Sequence, residues 1–361
     1  MRKIEFLTRS ECMAMKGIAI LSIMLHNYCH WLNDIVRENE YTWLQVNCSM
    51  LWQAIRQPNE LLPMHLFSFF GHYGVPVFLF LSGFGLVMKY ERGPLPEVSF
   101  WQFVRYNYLK LFRIFIVGFV LFTMFDVFSP EMHRYQTDEV LAMLGMYANL
   151  YPDPGEVVWP APYWYFSVTL QLYIFYRLVL YRWRHWGVVA VMTVSCWAWQ
   201  QYCYDDMEML VRLRYNFVGS LLPFGMGVLV ARFEPLMMKK AKVTFGQRLI
   251  LAYLLLFMLM VIFCYIFSVM SFDTWLWVPA FAVVGTIALV KMIPQCVMPS
   301  IVWMGTISSA IFVIHPLVRK IFVRPYLQYN QYAGLLLFIV ATLLVSWLVK
   351  IIIDKIPKPT I

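Results

Sequence analysis

Residues 13–31 place a lysine, two histidines and an asparagine in a stretch that is otherwise apolar enough to enter a bilayer. At about 100° and 1.5 Å per helical residue, Lys16 and Asn27 fall within about 20° of each other. His26 and His30 lie one turn apart on the adjoining stripe, with His26 roughly 15 Å along the axis from Lys16. Imidazoles accept and donate protons near neutral pH, so the chemistry that this stretch offers is proton transfer.

Ionisable groups inside a membrane helix are costly and are normally functional. We therefore expect the polar side chains of residues 13–31 to face a protein interior or a water-filled cavity. The alternative for any one of them is structural: a lysine that reaches to the membrane surface, or a histidine that bonds to a neighbouring helix. That alternative explains all four of them together poorly.

Three basic residues, Arg105, Lys110 and Arg113, lie where the third apolar segment begins. Basic groups at that place could bind the phosphates of an anionic cosubstrate through charge-assisted hydrogen bonds. Anchoring at the cytoplasmic surface explains Arg105 and Lys110 equally well, because membrane proteins concentrate Lys and Arg there. It explains Arg113 poorly, since that residue falls about one turn inside the predicted span.

The glycine-rich stretch 71–85 holds His72, Pro76 and Ser82 in a second apolar segment. Glycine lets two helices approach closely, and Pro76 can break the helix and open backbone groups toward a cavity. Plain helix packing is the alternative for this stretch.

Two later segments add further candidates. Trp164, Gln171 and Tyr173 are spaced along one apolar segment, where Gln171 in mid-span needs a hydrogen-bond partner. His315 is followed by a proline, which indicates either a kink at a helix end or part of a site.

The composition places most of the chain in lipid. Hydrophobic residues make up 61% and charged residues 14%, with a mean hydropathy of +0.63, whereas a soluble domain is about a quarter charged. The apolar runs recur to the C-terminus, so residues 1–361 are predicted to form a single membrane-embedded domain. The net charge of +9 then reports orientation in the membrane and not nucleic-acid binding. Seven scattered cysteines without a CxxC pair predict no disulfide framework and no metal site.

The pattern predicts an all-α polytopic membrane protein with about ten transmembrane helices, each near the ~20 residues that a bilayer requires. The predicted spans are 12–32, 65–88, 108–128, 162–181, 186–204, 214–232, 249–270, 274–293, 300–321 and 333–353. Residues 139–150 are apolar over only about half a span and are predicted to be re-entrant or interfacial. With both termini cytoplasmic, the inner side takes most of the 29 lysines and arginines.

The polar segments resemble, in this order, those of a known family. The matching stretches are KGIAILSIMLHN, GVPVFLFLSGF, the basic residues from Arg105 to Arg113, PYWYFSVTLQLYIFY, FVGSLLPFGMGVLVARF and MGTISSAIFVIHPL. The chain resembles the acyltransferase-3 family of integral membrane acyltransferases, which O-acylate bacterial surface polysaccharides and similar acceptors. The resemblance runs nearly end to end, and the family's ten-span core agrees with the independent count.

The resemblance implies acyl transfer from acetyl-CoA or another acyl-CoA to a hydroxyl of a glycan or lipid-linked glycan, in a bacterial cytoplasmic (inner) membrane and among its lipids. An alcohol needs a base to remove its proton, and His26 is the candidate base, with His30 as the second candidate. The family usually places its histidine eleven residues after the basic residue of the first span. Here that position, counted from Lys16, is Asn27.

The resemblance also implies a cosubstrate site. Arg105, Lys110 and Arg113 are expected to bind the phosphates of CoA. A central cavity is expected to be lined by Trp164, Tyr165 and Gln171, with Ser82 and Tyr173 nearby and with His72 and His315 as further polar candidates.

A membrane transporter or polysaccharide-export protein is the alternative function. It would share the spans and the intramembrane histidines, but it would not need a basic site for CoA. The chain shows none of the inverted repeats that are typical of many transporters, which counts mildly against that class. No metal is expected for either function.

Overall fold

The structure is a computed structural model that describes residues 6–93, 97–128, 132–240, 247–322 and 330–360. It is 79% helical and contains no strand in these ranges, so the predicted all-α class is confirmed. Arg2, Lys3, Lys242 and Arg324, which contribute to the charge asymmetry used for orientation, lie outside the described residues.

Long apolar helices alternate with short helices that lie between them. The helices in chain order are α1 (Arg9–Cys29), α2 (Gln45–Arg56), α3 (Leu62–Phe70), α4 (Gly74–Tyr90), α5 (Phe100–Asp126), α6 (Thr137–Leu144), α7 (Pro154–Val157), α8 (Trp164–Phe175), α9 (Trp186–Tyr202), α10 (Met207–Arg214), α11 (Phe217–Lys240), α12 (Gln247–Met270), α13 (Phe272–Trp275), α14 (Val278–Met292), α15 (Met298–Thr306), α16 (Ser308–Phe322) and α17 (Gln331–Lys355). Short 3₁₀ turns lie at Gly71–Tyr73, Ala148–Leu150 and Ala161–Tyr163.

Seven helical stretches of the described chain are long and apolar enough to cross a membrane, and an eighth is a bent pair. That pair is α15 and α16, which meet at an angle of 71°. The two remaining predicted spans are helical but shorter: α8 passes at its end into a π-helical turn, Tyr176–Leu180, and α9 has 17 residues. The predicted half-span at 139–150 is the short helix α6 followed by a 3₁₀ turn.

Helix α1 lies in the interior of the bundle, as does the stretch Leu62–Tyr90 that contains α3 and α4. Its spanning part is 67% buried within the protein, whereas that of α12 is 6% buried and faces outward. The start of α1 is fixed by a capping box, in which Thr8 Oγ1 accepts from Glu11 N at 3.2 Å and Glu11 Oε2 accepts from Thr8 N at 2.8 Å. The interior position explains why a helix with so many polar groups is tolerated: its polar face lies against other helices and not against lipid.

Neighbouring helices approach α1 at glycines. A Cβ atom on Gly305 of α15 would lie 2.0 Å from the Met13 carbonyl oxygen. A Cβ atom on Gly71, in the 3₁₀ turn before α4, would lie 2.6 Å from His26 Cβ and 2.7 Å from the Ser22 carbonyl oxygen. Only glycine fits this close to α1, and the turn that carries Gly71 thereby comes into contact with the histidine predicted to act as the base.

Candidate active site

His26 is buried near the C-terminal end of α1, with 2% of its surface exposed. Its Nδ1 lies 2.8 Å from the carbonyl oxygen of Ser68 in α3. A carbonyl oxygen only accepts hydrogen bonds, so this contact assigns the proton of the neutral ring to Nδ1 and leaves the lone pair on Nε2. An imidazole held in that tautomer is prepared to accept a proton through Nε2.

The segment between α1 and α2, residues 30–44, folds back over this histidine and is held there by α3. The hydroxyl of Ser68 donates to the Val36 carbonyl oxygen at 2.5 Å, and the Val36 amide donates to His65 Nδ1 at 3.2 Å. Ser68 therefore ties the segment to the same residue that orients His26. This attachment carries two glutamates of the segment, Glu38 and Glu40, to the histidines.

Glu38 pairs with the second histidine of α1. His30 Nδ1 lies 3.0 Å from Glu38 Oε1, and His30 Nε2 is buried without a hydrogen-bond partner among the described residues. Burial by itself raises the pKa of Glu38, but the hydrogen bond and charge of His30 outweigh it and hold this pKa below its ordinary value. The Glu38 carboxylate is thus ionised at neutral pH and orients His30.

Glu40 lies close by and behaves in the opposite way. Burial, followed by the negative charge of Glu38, raises the pKa of Glu40 to about 8, against a smaller opposing effect of Arg214. At neutral pH this carboxyl is therefore mostly protonated. Two glutamates separated by one residue thus carry different charges because only Glu38 has a histidine partner.

These residues surround a cavity of about 110 Å³, which we call the histidine cavity. The polar residues at its wall include His26, Asn27, His30, Glu38, Glu40, His72 and Arg319. The aromatic part of the cavity wall is formed by Trp31, Tyr41 and Trp164, and Trp31 is 52% exposed. The cavity therefore combines imidazoles, hydrogen-bond donors and aromatic rings in a small volume.

A second cavity of about 310 Å³ lies next to it, and we call it the lysine cavity. Lys16, Lys89 and Lys110 line it, and no aspartate or glutamate does so within the ranges that the structure describes. Lys89 Nζ lies 3.7 Å from the centre of the Tyr106 ring, which stabilises the cation without neutralising it. The described walls of this cavity thus carry three lysines and no carboxylate, which favours an anion.

Four residues line both cavities: Ile23, Val75, Tyr165 and Phe312. The rings of Tyr165 and Phe312 meet edge to face with their centres 5.3 Å apart. The two cavities are therefore separated by a thin apolar wall, which we call the septum. Lys16 and His26, ten residues apart on α1, lie on opposite sides of it.

The structure brings together most of the residues singled out from the sequence. Lys16, Ser82, Lys110, Tyr165 and Tyr173 line the lysine cavity.

On the other side of the septum, His26, Asn27, His30, His72 and Trp164 line the histidine cavity. His72 is 6% exposed, and neither of its ring nitrogens has a hydrogen-bond partner in the described parts of the chain.

Two of the predicted phosphate-binding residues lie elsewhere. Arg105 is exposed on α5 and lines neither cavity. Arg113 Nη1 donates to the Ile356 carbonyl oxygen at 3.0 Å, where α17 ends. That contact satisfies a helix C-terminus and accounts for an arginine inside the membrane without a ligand.

Gln171 and His315 also lie outside both cavities. Gln171 Nε2 donates to Asn149 and Asn216 at 3.2 and 3.0 Å, which supplies the partners that a mid-span amide needs. His315 is fully buried within α16, and its Nδ1 lies 3.0 Å from the Ile311 carbonyl oxygen of its own helix.

The sequence did not single out Glu38, Glu40, Lys89 or Arg319 as site residues. The glutamates come eight and ten residues after His30, in a loop that holds other acidic residues. Arg319 and Lys89 follow an apolar stretch, as ordinary anchoring residues do. No local pattern separates these four from their neighbours, because their convergence depends on how α3, α4 and α16 pack on α1.

A family model described as an acyltransferase domain matches residues 13–351, which is nearly the whole chain. The chain belongs to the acyltransferase-3 family. The resemblance drawn from the sequence motifs is thereby confirmed, and with it a multi-pass membrane acyltransferase in general. No curated protein and no solved structure matched this acyltransferase.

Proposed function

We propose that this acyltransferase moves an acyl group, in the first instance acetyl, from acyl-CoA to a hydroxyl of a cell-surface glycan or lipid-linked glycan. The observation that supports the proposal is the pair of adjoining cavities, which only the septum separates. One carries three lysines, and the other carries a histidine whose Nε2 has no hydrogen-bond partner in the described parts of the chain. An anionic donor and a hydroxyl acceptor need these two environments.

The lysine cavity is the donor side in this proposal. CoA carries several phosphate charges, and Lys16, Lys89 and Lys110 bind them as point charges. The acyl thioester at the end of the thin pantetheine arm then reaches the septum, while the nucleotide remains among the lysines. Arg113 takes no part, because its guanidinium is engaged at the end of α17.

His26 is the base in this proposal. Neither α1 histidine has a hydrogen-bond partner for its Nε2 among the described residues, but their Nδ1 partners differ: a neutral carbonyl for His26 and the Glu38 carboxylate for His30. A carboxylate stabilises the protonated imidazole, whereas a carbonyl does so less. His26, with its neutral Nδ1 partner, is therefore our candidate to take the proton of the acceptor hydroxyl.

The acceptor enters the histidine cavity. Trp31, Tyr41 and Trp164 offer aromatic faces, on which the apolar face of a sugar ring stacks while its hydroxyls reach the polar wall. This chemistry supports a glycan as acceptor.

Sidedness follows from the two cavities and the predicted topology. With both termini in the cytoplasm of a bacterial cell, Lys16 lies toward the inner surface and His26 toward the outer one. Acyl-CoA is made in the cytoplasm and cannot cross a bilayer with its phosphates charged. The acyl group would thus pass through the protein while CoA stays inside.

Turnover of labelled acetyl-CoA by the purified protein tests the reaction. Release of free CoA, with transfer of label to surface polysaccharide from a strain that lacks the gene, is the expected result. The transporter alternative predicts no thioester turnover at all.

Sealed vesicles of known orientation test sidedness, with acetyl-CoA supplied on one face and the acceptor on the other. Product is expected only when acetyl-CoA is on the cytoplasmic face and acceptor on the opposite face. If product requires both on the cytoplasmic face, the path through the membrane is wrong while acyl transfer stands.

A further inference from the structure

Two partly buried arginines of this protein pair with carboxylates, whereas the buried Arg319 does not do so among the described residues. Arg232 Nη2 pairs with Glu91 Oε1 at 2.8 Å, and Arg92 pairs with Glu234. Arg319 is 9% exposed in α16 and pairs with no carboxylate among the described residues. An unpaired cation in a membrane protein costs several kcal/mol, so a guanidinium at this position is suited to stabilise negative charge that forms in the cavity.

The guanidinium of Arg319 is held in place at the wall of the histidine cavity. Its Nη1 donates to Asn27 Oδ1 at 3.2 Å, and its Cζ lies 4.6 Å from the centre of the Trp31 ring. Asn27 itself is held, because its Nδ2 donates to the Ile23 carbonyl oxygen at 3.0 Å. Two neutral groups therefore orient the cation without cancelling its charge, and its other N–H groups, which have no partner within the described ranges, are available to the cavity.

We propose that Arg319 is a catalytic residue that donates hydrogen bonds to the oxyanion formed during acyl transfer. This inference rests on the proposed function, and it adds the residue that stabilises charge to the residue that moves the proton. Asn27, next to His26 on α1, positions Arg319 for this role. The amide at the place where the family usually has its histidine thereby acquires a function.

The reaction balances with these groups. The acceptor oxygen attacks the thioester carbon, its proton passes to His26 Nε2, and the carbonyl π electrons move to the oxygen as a negative charge. Arg319 donates to that oxygen. When the C=O bond re-forms, the C–S bond breaks, its electron pair leaves on sulfur, and the thiolate takes the proton from His26.

An anionic acceptor is the competing explanation for a free cation in this cavity. The ionised Glu38 at the same wall repels an anionic acceptor and a transient oxyanion alike, so charge by itself does not separate the two explanations. A transient oxyanion forms on the donor carbonyl whichever nucleophile attacks, including water. Hydrolysis of acetyl-CoA without any glycan therefore separates the two explanations.

The experiment measures acetyl-CoA hydrolysis, with water as the nucleophile, by full-length Arg319→Gln, Arg319→Lys and wild type. We expect Arg319→Gln to lower kcat about 10²- to 10³-fold, as loss of an oxyanion donor does, with little change in KM for acetyl-CoA. Arg319→Lys retains the positive charge but lacks the planar, forked set of guanidinium N–H donors. Its kcat should therefore lie between those of Arg319→Gln and wild type. Arg56→Gln, at an exposed position at the end of α2, is the control and should match wild type. Hydrolysis by Arg319→Gln at the wild-type rate would overturn the proposal and assign Arg319 to acceptor binding.

A second variant keeps Arg319 and compensates its charge with a carboxylate placed beside the guanidinium. Asn27→Asp places a carboxylate where the guanidinium already bonds, so the fold should keep its thermal midpoint or gain stability. We expect kcat for hydrolysis to fall about tenfold or more, since a paired guanidinium binds an oxyanion weakly. Asn59→Asp is the matched control, because Asn59 Oδ1 accepts from Leu61 N at the surface and an aspartate can do the same. Full hydrolysis by a stably folded Asn27→Asp would contradict the role of Arg319.

Failure of this inference and failure of the proposed function give different results. If wild type does not turn over acetyl-CoA with water or glycan, the proposed function is wrong. If wild type does so and Arg319→Gln and Asn27→Asp do so equally well, only the inference about Arg319 is wrong.

Discussion

The lysine cavity and the histidine cavity are adjacent in one helix bundle, yet the charged residues that line them differ. Lys16, Lys89 and Lys110 bring charges of one sign into about 310 Å³ with no carboxylate at the described wall. The histidine cavity, about 110 Å³, mixes cation, anion and neutral groups, and hydrogen bonds fix most of them. The first arrangement suits binding of an anion of flexible shape, and the second suits positioning of reacting atoms.

The largest expected effect comes from the proposed base. Replacing His26 by Ala should lower kcat for acetyl transfer about 10²- to 10⁴-fold, as loss of a general base does, without changing KM for acetyl-CoA. His185→Ala, which removes an exposed histidine outside both cavities, is the control. If His30→Ala abolishes turnover and His26→Ala does not, the Glu38-paired histidine is the base and the distinction drawn between the two imidazoles is wrong.

The next effect separates the lysine cavity from the basic residues beside it. Lys110→Ala should raise KM for acetyl-CoA about 10- to 150-fold, since one charge-assisted phosphate contact contributes about 1.5–3 kcal/mol. Arg113→Ala should change KM little and instead lower the thermal midpoint, because Arg113 caps α17. If Arg113→Ala raised KM for acetyl-CoA more than Lys110→Ala did, the phosphates would bind outside the lysine cavity.

A smaller effect concerns stability and pH in the histidine cavity. The pKa of Glu40 is raised from 4.5 to about 8 in the folded protein, so the folded state binds this proton more tightly than the unfolded state. The stabilisation of the folded state by protonated Glu40 is fully present below pH 4.5 and is lost as the pH rises to about 8. Glu38, whose pKa is lowered, stabilises the folded state above pH 4.5, and this stabilisation is lost as the pH falls.

Thermal midpoints of wild type and Glu40→Gln, measured from pH 5 to 9, test this difference. The midpoint of Glu40→Gln should exceed that of wild type by a few degrees more at the alkaline end than at the acid end. Parallel curves would mean that Glu40 is ionised throughout.

The smallest expected effect is that of chelators. Ligand atoms of His26, His30 and Glu38 lie within 4.8 Å of one another, a spacing compatible with a divalent cation. The His30 Nδ1 and Glu38 contact is already a hydrogen bond at 3.0 Å, so we expect a shared proton there and no metal. Turnover should be unchanged by EDTA, and added Zn²⁺ should inhibit by occupying the base. A loss of activity with EDTA that Zn²⁺ restores would replace the base mechanism by a metal-assisted one.

The sequence by itself determined the class of the molecule and predicted several candidate site residues. Apolar runs of about 20 residues predict membrane helices because a bilayer excludes unpaired backbone groups, whatever their neighbours are. For the same reason Lys16, His26, His30 and Gln171 could be singled out: a polar group inside such a run is costly wherever the helix packs. The motifs identified the family, which the family model confirmed.

Only the tertiary structure decided which of these groups share a site. Arg113 and Lys110 are three residues apart and look alike in the sequence, yet one caps α17 and the other lines a cavity. Arg319 is separated from Asn27 by 292 residues, and Glu38 reaches His30 only because Ser68 and His65 hold the intervening segment. Such contacts depend on packing between distant helices, whereas hydropathy depends on neighbours along the chain; the first cannot be derived from the second.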